Sequence, residues 1–216
     1  MFTGIVATCG RIERVEPLSG KVQGEAASAE ATGVRLTVEA GALGVDDLGI
    51  GDSIAIQGAC MTAVAVDGNR FVVEVSGESL SKTVGLDRPG PVNLEKAMRL
   101  SDRVGGHLVT GHVDGLGEVV RFEPVGESWI LEIRVAASLA RYFAYKGSAC
   151  VNGVSLTVNE LEDRAHGTVF AINLIPHTMA VTTLGTLAVG DRVNLEVDLI
   201  ARYVERMLGA TQLPGR

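Results

Sequence analysis

The sequence predicts an all-β protein: two tandem copies of one small closed barrel or sandwich, followed by a C-terminal α-helix. Three observations carry this expectation. Short segments alternate apolar and polar residues with period two, the mark of half-buried strands. The motifs of the first half return in the second, in the same order, at shifts of 95 to 107 residues. A single helical stripe follows the second copy. Composition agrees. The 216 residues hold 27 glycines but only six prolines. Glycine so far above its usual ~7%, spread among Val and Ile, points to many turns between short strands.

In chain order, residues 34–39 (VRLTVE), 71–75 (FVVEV) and 129–135 (WILEIRV) alternate as strands. Asp67, Gly68 and Asn69 between two apolar runs make a hairpin signal, because Gly and Asn tolerate positive φ. Helical patches are short, at residues 79–84 and 136–144. The tail differs. Asp198 is a good N-cap, and Leu199, Ile200, Tyr203, Val204, Met207 and Leu208 form one stripe that ends at Gly209. A stripe that broad needs a partner surface, either its own barrel or copies of itself.

The repeat is specific. Residues 2–17 overlie 109–124 with seven identities in sixteen positions, 53–62 overlie 148–157, and 92–95 (VNLE) overlie 193–196 (VNLE). The drifting shift places length changes in loops: residues 20–33 occur only in the first copy, and residues 161–168 are longer in the second. The chain divides into copies at 1–99 and 100–197, with 198–216 as helix and tail. A unit of this length is a domain and not a solenoid repeat.

Charge and cysteine usage exclude several classes. A net charge of −7 with no basic block argues against a nucleic-acid or anionic-membrane surface. No apolar run approaches the ~20 residues of a membrane span. The opening MFTGIV lacks the charged leader and apolar core of a secretion signal. Cys9, Cys60 and Cys150 are odd in number and far apart, so the chain reads as reduced and cytoplasmic. Gly115, Leu116 and Gly117 lack the third glycine and following helix of a dinucleotide fingerprint.

Three long motifs in order, MFTGIV (1–6), GGHLVTGHVDG (105–115) and NGVSLTV (152–158), resemble the riboflavin synthase family of the α-chain type, and the resemblance spans the chain. It implies two six-stranded Greek-key barrels and a C-terminal helix that assembles a homotrimer. It implies dismutation of two 6,7-dimethyl-8-ribityllumazine molecules into riboflavin and 5-amino-6-ribitylaminouracil, with no metal or redox cofactor. Association with lumazine synthase is a further partner it suggests. The alternative on the same fold is a lumazine- or flavin-binding protein without catalysis. Around Cys60 the family more often reads Asn-Gly-x-Cys-Leu-Thr-Val, where this chain has Gln57, Met61 and Ala63. Asn152 stands where some members carry Asp.

Ser155 and Thr157, two apart on a strand, face the same way and give one wall two hydroxyls, suited to a ribityl chain or an activated water. Their counterparts in the first copy are Cys60 and Thr62. The exchange of Ser for Cys suggests pockets with different tasks, with Cys60 as a polar contact and not a covalent nucleophile. His107 and His112 are five apart, so an extended segment sends them to opposite faces, which speaks against a two-histidine metal site. His107 reads as a turn-capping residue among glycines. The resemblance puts His112 in the substrate site, where an imidazole can shuttle a proton, and Lys146 in the ligand pocket. Read alone, Lys146 is a surface cation beside aromatics. The resemblance also assigns ligand contact to Phe2, Gly4, Ile5 and Val6, to Ser53, Met61, Glu78 and Ser79, and to Gly111 and Val113. It adds Leu156, Ile175, Pro176, His177 and Thr178.

Overall fold

Period-two alternation produces closed sheets here because each strand has one apolar face to bury and closure leaves no open edge. The structure is a computed structural model that describes residues 1–6, 8–18, 33–164 and 167–211. In the first half β1 (Thr8–Pro17), β2 (Val34–Glu39), β3 (Ser53–Ile56), β4 (Ala59–Asp67), β5 (Arg70–Val75) and β6 (Gly90–Lys96) close an antiparallel barrel. Its circular order is β1-β2-β5-β4-β3-β6, with helix α1 (Gly77–Lys82) before β6. The second half repeats this circuit with β7 (Gly115–Val125), β8 (Ser128–Val135), β9 (Ser148–Val151), β10 (Val154–Arg164), β11 (Gly167–Leu174) and β12 (Arg192–Val197). Helices α2 (Ala137–Ala140) and α3 (Pro176–Val181) lie within it, and α4 (Leu199–Thr211) follows.

Each barrel has its own apolar filling. Ile12, Leu36, Ile54, Phe71, Val73 and Leu94 are fully buried in the first, and Leu131, Ile133, Phe170, Ile172 and Leu195 in the second. The register slips at matching places, between Ile12 and Arg14 as between Val119 and Arg121, and between Ala63 and Ala65 as between Val158 and Glu160. Bulges at matching places bend both sheets alike toward closure. The Gly68 turn joins β4 to β5 as expected, at φ 55°. The hairpin of β10 and β11 runs longer, pairing as far as Arg164 with Gly167. Apart from Gly33, the first-copy insertion at residues 20–33 lies outside the described residues.

The helices differ in detail from expectation. Helix α1 starts at Gly77 because the Ser76 hydroxyl accepts the Ser79 N–H at 3.1 Å. Helix α2 is only one turn, and α3, with Pro176 in its first turn, was not foreseen. Asp198 caps α4 by accepting the Ile200 N–H at 2.9 Å, and the helix runs past Gly209 to Thr211. Arg202 ties α4 to its barrel through Asp114 at 2.8 Å. Ile200, Tyr203, Val204 and Leu208 stay exposed.

The barrels meet along a pseudo-two-fold seam. Gln57-Gly58 and Asn152-Gly153 form two-residue hairpin turns with all four φ positive, the type I′ geometry. They touch back to back: a Cβ on Gly58 would lie 2.6 Å from the Gly153 nitrogen. Asn93 donates to the Asn152 carbonyl (2.8 Å), and Asn194 donates to that of Gln57 (2.9 Å). The Gln57 side chain accepts the Asn93 N–H at 2.9 Å. The amide at 57 therefore serves the seam, which accounts for Gln57 and Asn152 without a ligand. Repeat-equivalent Phe2 and Val109 pair with each other by two backbone hydrogen bonds (2.7 and 3.0 Å).

That pairing crosses the leading segments. Val6 packs in the second barrel's core and Val113 against the first. A fragment of residues 1–99 holds six strands but lacks the 109–113 segment laid against its β4. Residues 2–6 of a second copy are the natural substitute, so the fragment is expected to fold and sediment as a dimer. A folded, strictly monomeric fragment would contradict the crossing.

Candidate functional site

Two equivalent places arise where each leading segment meets the opposite barrel. At the first, the Cys60 N–H on β4 donates to the Gly111 carbonyl at 2.8 Å. At the second, the Ser155 N–H on β10 donates to the Gly4 carbonyl, also at 2.8 Å. Both glycines have positive φ, 72° at Gly4 and 79° at Gly111. A Cβ on Gly4 would fall 2.6 Å from the Ser155 Cβ, and one on Gly111 2.5 Å from the Cys60 Cβ. Only glycine satisfies the dihedral and the approach together.

The first place opens into a cleft of about 250 Å³. It brings together Cys60, Met61, Glu78, Ser79, Gly111, His112 and Val113 from the sequence-derived set, joined by Ala59, Lys82 and Thr83. Lys82 and Glu78, one helical turn apart on α1, pair at 2.7 Å on the exposed rim, where such a pair contributes little. Thr62 lies two residues beyond Cys60, exposed, and opposite Ser53 on β3. Ser53 lines a separate cleft with Asp47, Asp52, Lys96 and Arg99.

At the second place, Ser155 and Leu156 are half-buried and Thr157 is exposed on β10. Ile5 of the crossing segment is exposed. Helix α3, the counterpart of α1, carries Pro176, His177 and Thr178 and is preceded by exposed Ile175. Phe2 is fully buried in the seam against Ala55, Val109 and Cys150.

His107 is the residue that sequence reasoning passed over. The residue is 8% exposed, and its Nδ1 lies 2.6 Å from the Ser155 Oγ. Its Nε2 is buried without a hydrogen-bond partner among the described residues, an exception that calls for an explanation. Burial pushes the imidazole below its ordinary pKa, and the charge of Asp198 pulls partly against that. The ring is thus kept neutral beside a serine hydroxyl, the pairing that activates a hydroxyl as nucleophile or proton relay. The available signal was the glycine pair before it: a Cβ on Gly106 would lie 2.6 Å from that of Ser155. His112 lines the other cleft, so the two histidines stand at different places.

Lys146 is exposed and left-handed, at φ 62°. Its repeat counterpart is Gly51, at φ 95°. The second copy therefore keeps a lysine where the first uses the residue suited to that conformation, at about 1–2 kcal/mol of strain. Strain of this kind gathers at functional positions. The ammonium donates to Asn159 at 3.0 Å and stands 5.4 Å from the Tyr145 ring centre. Among the described residues, no cluster of His, Cys, Asp and Glu could hold a metal ion, and no helix is long and apolar enough to cross a membrane.

Known proteins resemble this chain in sequence and in fold. The lumazine binding domain matches the chain twice, over residues 3–97 and 110–198, and this tandem pair defines its class. The chain is 47% identical to the riboflavin synthase of Mycobacterium bovis over 213 residues, 96% of this chain and 98% of the relative. It is 40% identical to that of Photobacterium phosphoreum over 210 residues, 96% and 89% of the two chains. The crystal structure of LumP complexed with riboflavin matches with a TM-score of 0.74 at 23% identity, over 91% of this chain and 99% of LumP. That likeness is one of fold. The chain belongs to the riboflavin synthase family.

The buried imidazole makes a prediction. The unfolded chain protonates this histidine near pH 6.5, whereas the folded chain takes the proton only at lower pH. Its contribution to stability is full above pH 6.5 and is lost as pH falls below that value. His107→Gln should flatten this part of a denaturant-midpoint-against-pH curve. An unchanged slope would show that the ring is not held neutral by burial.

Proposed function

We propose that the chain catalyses the dismutation of two 6,7-dimethyl-8-ribityllumazine molecules into riboflavin and 5-amino-6-ribitylaminouracil. The observation that carries this reading is a pair of sites with one backbone plan and different side chains. Cys60, His112 and Glu78 line one, and Ser155 and His107 meet at the other; the reading adds Thr62 to the first, and Thr157, Lys146 and His177 to the second. The reaction consumes two copies of one molecule in unlike roles, so a duplicated but unequal pair of sites suits it. One lumazine loses a proton from a methyl group and attacks the ring of the other, which gives up its four-carbon unit and leaves as the diaminouracil, while the first becomes riboflavin.

Bringing the two molecules together in a fixed orientation is worth roughly 7–11 kcal/mol of barrier. The remaining chemistry is proton transfer, for which general acids and bases suffice. In this reading the Ser155 hydroxyl, polarised by neutral His107, bonds the ring as charge develops, and Lys146 and Thr157 hold the same molecule. His112 moves a proton at the other site, where Cys60 and Thr62 orient the second ring. Backbone at Gly4, Ile5, Val6, Gly111 and Val113 reads the pyrimidine edge, with Ser79, Ile175 and Thr178 along the ribityl chains.

A cleft of about 250 Å³ is below the roughly 300–1,000 Å³ usual for a small-molecule site. A face from a second copy would complete it. The exposed apolar residues of α4 support assembly into a homotrimer in which the first barrel of one chain faces the second barrel of another. The acidic chain and its unpaired cysteines support a cytoplasmic setting, and association with lumazine synthase belongs to the same reading.

Purified full-length chain mixed with the lumazine should form one flavin, read by absorbance, for every two lumazines consumed. Ser155→Ala should lower kcat by about 10²–10⁴-fold, the range for a lost acid–base group, with little change in KM. Binding without turnover would favour a non-catalytic lumazine-binding protein.

Lys146→Gly separates strain from function. Relief of about 1–2 kcal/mol outweighs the unfolded-state entropy that glycine adds, about 0.4–1 kcal/mol. The variant should therefore melt no lower than the parent while losing activity. A less stable variant with full activity would contradict the role given to the ammonium.

A further inference from the structure

Two carboxylates that line neither substrate site stand at equivalent places on the closing strands, Glu95 on β6 and Glu196 on β12. Glu95 Oε1 accepts the Thr3 N–H and the Thr3 hydroxyl, each at 2.7 Å, and its Oε2 accepts the Gly4 N–H at 3.0 Å. Glu196 repeats the pattern. Its Oε1 accepts the Thr110 N–H and hydroxyl, each at 2.6 Å, and its Oε2 accepts the Gly111 N–H at 2.8 Å. Glu196 is 3% exposed. Burial pushes the Glu95 carboxyl up, while the Thr3 and Gly4 donors pull it back down. Charge-assisted bonds of this kind are roughly twice as strong as neutral ones. An amide cannot replace the carboxylate, because its NH2 would face donors.

The residues so held are those that cross between barrels. We propose that Glu95 and Glu196 are crossed positioning residues: each, rooted in one barrel, fixes the backbone on which the other barrel's site is built. Glu95 holds Thr3 and Gly4. The Gly4 carbonyl receives the Ser155 N–H, and the Thr3 carbonyl receives the His107 N–H at 3.2 Å. A side chain of the first barrel thereby sets the serine–histidine pair of the second. Glu196 holds Thr110 and Gly111, whose carbonyl receives the Cys60 N–H, and His112 is the next residue. A side chain of the second barrel thereby sets the cleft of the first. Neither carboxylate touches a bound molecule in this reading. The inference refines the proposed function, but its first readout requires no ligand.

Imidazole ¹⁵N NMR of the full-length chain reports on both places at once. Glu95→Gln should move the His107 ring signals and leave those of His112. Glu196→Gln should move His112 and leave His107. Thr3→Val and Thr110→Val remove one bond from each anchor without touching the carboxylate. They should give the same crossed pattern in smaller degree, even if a glutamine variant fails to fold. Titration with 6,7-dimethyl-8-ribityllumazine should then show about tenfold weaker binding at one site only, the worth of one charge-assisted bond. Shifts confined to the site of the glutamate's own barrel, equal shifts at both histidines, or no shift in any folded variant would overturn the proposal. Crossed shifts in a chain that binds no lumazine would instead count against the proposed function and leave the positioning intact.

Discussion

Both sites depend on one contact made twice: a glycine backbone laid directly on a strand of the opposite barrel. Gly4 lies against Ser155 and Gly111 against Cys60, each closed by a 2.8 Å hydrogen bond from the strand. Positive φ and the absence of a side chain are both required there. That approach assembles both places. It brings His112 to the cleft of the first barrel and sets Gly4 and Ile5 beside Ser155. It also makes the two barrels interdependent, since each supplies backbone to the other's site.

The duplication explains why the contact recurs, and its unequal furnishing explains what the recurrence is for. Around one glycine the strand carries a thiol, and around the other a hydroxyl bonded to a buried neutral imidazole. His107 lies just ahead of the aligned repeat, in which Val109 matches Phe2. Gly51 and Lys146 occupy the same left-handed place with opposite priorities, ease of folding in one copy and a cation in the other. A symmetric frame thus holds two chemically different positions.

Much of the fold was legible in the sequence because its signals are local. Residues 71–75 alternate and form β5, residues 129–135 lie in β8, and Asp198 caps α4 as its side chain predicts. Helix α3 was not legible, since six residues led by Pro176 carry too little propensity to announce a helix. The crossing escaped because its partners are distant in sequence: Gly4 meets Ser155, and Gly111 meets Cys60. Gln57 departs from the family pattern near Cys60, and the hairpin turn directs its amide into the seam, where it accepts the Asn93 N–H. In sequence His107 resembles a turn cap among glycines, whereas the fold brings its ring to Ser155.

The most direct test of the crossed arrangement is native-state hydrogen exchange at the amides of Cys60 and Ser155. If Gly111 and Gly4 accept these protons from across the seam, both amides exchange only with opening of the barrels. Their protection then matches that of buried strand amides such as Val73 and Ile172. Fast exchange at both, with the strands still protected, would mean that the leading segments do not stay on the opposite barrels and that the sites are not built as described.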